Sequence, residues 1–127
     1  MDAPIHLDTN VLVFGLEPGH ALRKRIVHWR GEGALLAVSG MAWAEFLCGP
    51  VSSAAVRIWD QILDGAVEPV DRAVAERASI LFNHSGRRSR SLPDCVIAAT
   101  AILHGARLAT LNRHDFELFR GDGLELA

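Results

Sequence analysis

The sequence predicts an α/β fold, a three-layer sandwich whose mainly parallel central sheet is flanked by helices. Two observations carry this. Short apolar runs of strand length alternate with helix-length segments from end to end of the chain, which is the pattern of a parallel sheet crossed over by helices. Acidic residues also recur just past predicted strand ends or at helix starts, the edge at which open α/β sheets gather ligands. With 127 residues, half of them hydrophobic and 22% charged, residues 1-127 are expected to form one domain with a core that needs no staples. A formal charge of −2 gives no global attraction to nucleic acid, so any such binding needs a local patch. Cys48 and Cys95 have no metal-type spacing, and both read as reduced core residues. No secretory signal or membrane-spanning run is visible, so the cytoplasm is the expected compartment and no membrane partner is expected.

In order, Ile5-His6-Leu7 reads as a strand entering Asp8-Thr9-Asn10 and an apolar helix start at Val11. His20 to Trp29 is amphipathic, with Leu22, Ile26 and Trp29 inward, and Arg23, Lys24, Arg25 and Arg30 on a solvated face. Ala34 to Val38 is a buried strand. Ser39 then caps a helix from Gly40 to Cys48 that Gly49-Pro50 stops. Val51 to Asp64 is a helix with Val56, Trp59 and Leu63 inward. Ala66 to Val70 is a short strand whose Pro69 suggests an edge. Asp71 caps a helix to about Asn83, with Val74, Ala78, Leu81 and Phe82 inward. His84 to Ser91 is a polar loop carrying Arg87, Arg88 and Arg90, either solvated or a phosphate-binding patch. Pro93 opens and Gly105 closes a helix that is apolar nearly all round and therefore buried on most faces. Arg107 to Leu111 is a strand delivering the polar turn Asn112–Phe116, and Leu124 to Leu126 is the last strand.

Four acids stand out, and each taken alone has a structural explanation. Asp8 could cap the first helix, Asp94 could serve the dipole of the Pro93 helix, and Asp115 could cap a short turn. Glu45 is the only charge on its helix. Its helical neighbours Met41, Ala42, Cys48 and Gly49 place it on an apolar face, where a carboxylate needs a partner; the structural alternative is a solvent-facing position. Separations of 37, 49 and 21 residues rule out a local capping scheme linking them, yet an α/β sandwich can bring all four to one sheet edge. Converging carboxylates repel unless a cation compensates, and Mg²⁺ or Mn²⁺ suits an oxygen-only site. Such a site would generate a metal-bound hydroxide for in-line attack on a phosphodiester.

Four fragments occur in order: Leu7-Asp8-Thr9-Asn10; Ala44-Glu45-Phe46; Leu92-Pro93-Asp94 followed by Ile97-Ala98-Ala99-Thr100-Ala101; and Thr110-Leu111-Asn112-Arg113-His114-Asp115-Phe116. In these the chain resembles the PIN-domain family, most closely the VapC-type toxins of toxin–antitoxin pairs, over essentially its whole length. The resemblance implies a metal-dependent endoribonuclease in which Asp8, Glu45 and Asp94 match the metal-binding acids. The family's fourth acid falls at either of two nearby positions, here Asn112 and Asp115. Asp115 is the expected ligand, with Asn112 a neutral ligand or orienting residue. Thr9 and Thr110 match hydroxyls that order the metal-bound water, and Asn10 stands beside them as a supporting residue. The resemblance further implies a cytoplasmic homodimer, RNA as substrate, and inhibition by a cognate VapB-like antitoxin occupying the active-site groove.

Two other readings compete. A phosphoaspartyl enzyme using Asp8 would need a second Asp two residues on, where this chain has Asn10; a receiver domain would need a late lysine, and Lys24 is the only lysine. A catalytically inactive module of the same fold, binding RNA or a partner, is kept open by Asn112.

Overall fold

The computed structural model describes residues 3–87 and 91–127. Five strands, β1 (Ile5–Leu7), β2 (Leu36–Ser39), β3 (Val67–Glu68), β4 (Arg107–Ala109) and β5 (Glu125–Leu126), form one sheet in the order β3-β2-β1-β4-β5. Every pairing is parallel, so the expected sheet is present and is parallel throughout. Among the described residues seven helices surround it: α1 (Thr9–Phe14), α2 (Ala21–Gly31), α3 (Gly40–Cys48), α4 (Ser53–Leu63), α5 (Arg72–His84), α6 (Leu92–Leu103) and α7 (Arg113–Glu117). No helix among those residues is long and apolar enough to cross a membrane.

Side-chain alternation along the strands divides the interior into two cores, because successive residues of a strand face opposite sides. Ile5, Leu7, Val38 and Ala109 join Leu12, Leu22, Ile26, Trp29, Trp59 and Leu63 from α1, α2 and α4. On the other face Leu108 packs with Val74, Ala78 and Leu81 of α5 and with the continuously buried run Cys95–Ala101 of α6. Helix α3 bridges the two, giving Ala42 to one and Phe46 to the other. The Trp59 indole N–H donates to the carbonyl of Leu12 at 2.9 Å, fixing α4 against α1. Gly15, at the end of α1, lets α2 approach: a Cβ there would lie 2.5 Å from Ile26 Cδ1 and 2.5 Å from the Val11 carbonyl oxygen. The expected caps are formed, with Ser39 accepting from Met41 N–H and Asp71 from Val74 N–H. Gly105 has φ +62°, the left-handed conformation expected of a residue that ends a helix.

Several expectations are adjusted. Strand β4 ends at Ala109 rather than Leu111, because Thr110 leaves the ladder and turns its hydroxyl to Asp8. Strand β2 spans Leu36–Ser39 rather than Ala34–Val38, since its parallel register begins at the Ile5–Leu36 pair. Strand β3 lies at the sheet edge, as Pro69 suggested, and pairs for only two residues before that proline. Cys95 is buried, but Cys48 sits exposed at the end of α3, so the expectation of two core cysteines holds for one.

Candidate active site

The acids converge where the topology carries them. Asp8 follows β1, α3 with Glu45 follows β2, and Thr110 follows β4. Helix α6 runs back toward the start of β4, so its first turn, with Asp94, stands at the same carboxyl edge of the sheet. Asp8, Thr9, Asn10, Glu45, Asp94 and Asn112 line one hollow of about 290 Å³, with Val13 and Phe14 at its rim. A second hollow of about 530 Å³ shares Asp94 and is lined by Asp115, His114, Ser85, Ser91, Leu118 and Phe119. Asp94 therefore stands between two depressions, with Asn112 in one and Asp115 in the other.

Asp8 is the most constrained of the acids, only 4% exposed. Its Oδ1 accepts from the Thr9 N–H at 2.7 Å, the capping bond expected at the start of α1, and its Oδ2 accepts from the Thr110 hydroxyl at 2.7 Å. The Asp8 N–H donates to the Ala109 carbonyl at 2.9 Å, so its backbone is tied to β4 and its side chain to the residue that follows β4. Thr110 Oγ1 in turn accepts from the Asn112 N–H at 2.9 Å, and Asn10 Oδ1 accepts from the Leu111 N–H at 3.1 Å. The Thr9 hydroxyl donates to Glu45 Oε1 at 2.7 Å. Both threonine hydroxyl protons are thus spent on carboxylates. Glu45 itself is exposed, so the solvent-facing alternative holds and the favoured reading of an acid buried on an apolar helix face is corrected. It joins the site because its long side chain reaches Thr9 across 36 positions of sequence.

The electrostatics are those of gathered negative charge. Burial pushes the Asp8 carboxyl above the ordinary carboxylate range, opposed by the hydrogen bond from Thr110 and raised further by Glu45. Asp94 is pushed up to about 6, first by desolvation and then by repulsion from Asp8, Glu45 and Asp115. The ion pairs formed among the described residues involve none of these four acids. An all-oxygen donor set with excess negative charge fits a hard divalent cation. No group of three His, Cys, Asp or Glu side chains among the described residues stands at metal-ligand spacing.

Of the arginines singled out in the polar loop, Arg88 and Arg90 lie outside the described residues. Arg87 is exposed, has φ +61°, and directs its guanidinium to Asn83 Oδ1 at 3.2 Å. Phe14, His114, Ser85 and Ser91 were not singled out in the sequence. The signal for Phe14 was absent, since a six-residue apolar helix does not reveal which residue points outward.

The PIN domain family profile matches residues 5–121. Ribonuclease VapC10 of Mycobacterium tuberculosis is 33% identical over 118 residues, covering 91% of this chain and 87% of that protein. Among solved structures, a toxin–antitoxin complex from Klebsiella pneumoniae aligns at TM-score 0.64 and 27% identity over 91% of each chain. DNA-bound VapBC from Salmonella typhimurium aligns at TM-score 0.72 over 99% of this chain and 98% of that one; at 18% identity it speaks to the fold alone. A profile match over most of the chain, a relative sharing a third of its residues and the structural alignments agree: the chain belongs to the PIN-domain family and is most similar to its VapC-type members.

Proposed function

We propose that the protein is a metal-dependent endoribonuclease acting as the toxin of a type II toxin–antitoxin pair. The observation that carries this reading is the gathering of carboxylates at the carboxyl edge of the sheet, where desolvation first and then repulsion from Asp8, Glu45 and Asp115 push Asp94 up to about 6. Asp8, Glu45 and Asp94 would hold Mg²⁺ or Mn²⁺, with Asp115 the fourth acid; Asn112, in the hollow with the first three, is its neutral neighbour. Bound there, the cation would supply positive charge to the phosphodiester and make water nucleophilic near neutral pH.

The chain's own residues set the geometry. Thr110 and the Thr9 peptide fix both oxygens of Asp8, so this carboxylate enters the reaction already oriented. Thr9 holds Glu45 toward the same hollow, and the buried length of α6 fixes the turn that presents Asp94. Hydrolysis joins a water oxygen to phosphorus and breaks one ester P–O bond, with the leaving oxygen taking up a proton. The similarity to ribonuclease VapC10 supports RNA as the substrate. The toxin–antitoxin complex among the structural relatives supports an antitoxin partner. Homodimer formation and cytoplasmic action belong to the same proposal.

The test is growth arrest on expression together with cleavage of single-stranded RNA by purified protein. Cleavage should require Mg²⁺ or Mn²⁺, stop in excess EDTA, and be lost in Asp8→Asn. Undiminished cleavage in EDTA by nuclease-free protein would refute the metal-dependent reading. RNA binding without cleavage in the presence of either metal would favour the inactive module instead.

A further inference from the structure

We propose that an RNA strand leaving the acid hollow is carried over the stacked rings of Phe14 and His20 onto a phosphate-binding shelf formed by Arg23 and Lys24 of α2. This rests on RNA being the substrate of the acid site.

Phe14 lines the acid hollow and is 40% exposed, an aromatic ring presented to solvent beside carboxylates. It stacks on His20, with ring centroids 5.6 Å apart and planes inclined by 16°. The stack is held in place, because His20 Nδ1 accepts from the Leu22 N–H at 3.1 Å and so caps α2. His20 is also one wall of a separate hollow of about 520 Å³, lined by Gly19, Arg23, Lys24, Val27 and His28. The two rings therefore join the acid hollow to a basic one.

The cations there differ in their engagement. Arg25 lies over the Trp29 ring at 4.7 Å, and His28 contacts Glu32 at 2.6 Å. Arg23 and Lys24 are exposed and take part in none of the ion pairs among the described residues. A chain of net charge −2 with four acids at its candidate site repels a polyanion, so affinity must come from cations placed beside those acids. Aromatic faces continuing into a basic surface are how single-stranded nucleic acids are held without base readout.

The test is binding of a single-stranded RNA of about 12 nucleotides, a length within known single-strand site sizes, followed by fluorescence anisotropy in EDTA across a salt series. Arg23→Ala with Lys24→Ala should flatten the log–log salt slope by about 1.4, two phosphate contacts at ~0.7 each. Phe14→Ala should weaken binding on the order of tenfold to a hundredfold, Phe14→Trp should restore it, and Phe14→Leu should not. If Phe14→Ala fails to fold, the Arg23/Lys24 variant decides. An unchanged slope and affinity in that variant overturns the proposal, as does a wild type that binds no RNA, or a variant that loses only binding of an acidic protein segment. Cleavage by the wild type with unchanged KM in the Arg23/Lys24 variant refutes this shelf alone. RNA binding with the expected slopes but no cleavage refutes the nuclease reading and leaves the shelf standing.

Discussion

Replacing Asp94 by Asn should stabilise the metal-free protein while removing its activity. The carboxyl is pushed from 3.8 to about 6, so near neutral pH folding holds a charge in a place that disfavours it. Two pH units at ~1.36 kcal/mol each set a ceiling of roughly 3 kcal/mol. Asp94 keeps some solvent contact at the rim of its hollows, which reduces the expected gain to about 1–2 kcal/mol. The sign fixes the pH window. Below 3.8 the carboxyl is protonated in both folded and unfolded chains and the variant gains nothing. Between 3.8 and about 6 the unfolded chain ionises while the folded one retains its proton, so the wild type loses stability as pH rises; above 6 the difference is constant. Urea unfolding of both proteins in EDTA from pH 4 to pH 8 measures this, and the difference curve cancels titrations they share. Adding Mg²⁺ or Mn²⁺ should then raise the wild-type midpoint and leave the variant's almost unmoved. A variant less stable than wild type at pH 7, or a difference independent of pH, would refute the electrostatic account of the site.

Three further outcomes are expected. His6 is buried, its Nδ1 has no hydrogen-bond partner among the described residues, and burial with the neighbouring His104 lowers it to about 4; the wild type should lose up to about 3 kcal/mol as pH falls from 6.5 to 4, and His6→Leu should flatten that loss in urea midpoints. Thr110→Val leaves Asp8 Oδ2 and the Asn112 N–H without their partner, so thermal unfolding should show a loss of about 1–3 kcal/mol, and cleavage should fall with it. Gly15→Ala forces a methyl against Ile26 and the Val11 carbonyl, and denaturant titration should show about 1–3 kcal/mol of destabilisation.

The inner strands β1, β2 and β4 were legible because each is short, largely apolar and ends at a cap or turn residue, and because buried parallel strands need no alternation that could be misread. Leu22, Ile26 and Trp29 faced inward as their spacing required, as did Val74, Ala78 and Leu81. Strand limits were less legible, since pairing depends on a neighbour far away in sequence: β4 stops at Ala109 because of a residue 102 positions distant from Thr110. The convergence of the acids was legible from strand ends, but the reason given for Glu45 was not sound. An apolar helix surface in sequence is not a buried one, and the exposed Leu47 and Cys48 beside it show that α3 covers the core with few of its residues. Phe14 illustrates the same limit, since Val11 and Leu12 use up the buried side of α1 and leave Val13 and Phe14 outward.

The local explanations of the acids and their proposed catalytic role do not compete, and Asp8 shows why. An ionised carboxylate offers about four lone-pair sites. Helix capping takes one on Oδ1, Thr110 takes one on Oδ2 and the Asn10 side chain bonds the same carboxylate, which still leaves about one site open. The cap thus orients the group without exhausting it, and the fixed backbone of β1 and β4 makes that orientation a property of the fold. Asp94 divides its duties along the helix instead: Cys95 to Ala101 are anchored in the core while the carboxyl stands one residue before that buried run. A residue that merely capped would be satisfied by its cap. Here the Asp94 carboxyl is raised by burial and by its acidic neighbours, and no ion pair among the described residues offsets the charge of the four acids. Holding that charge costs stability, and a bound cation would offset the cost.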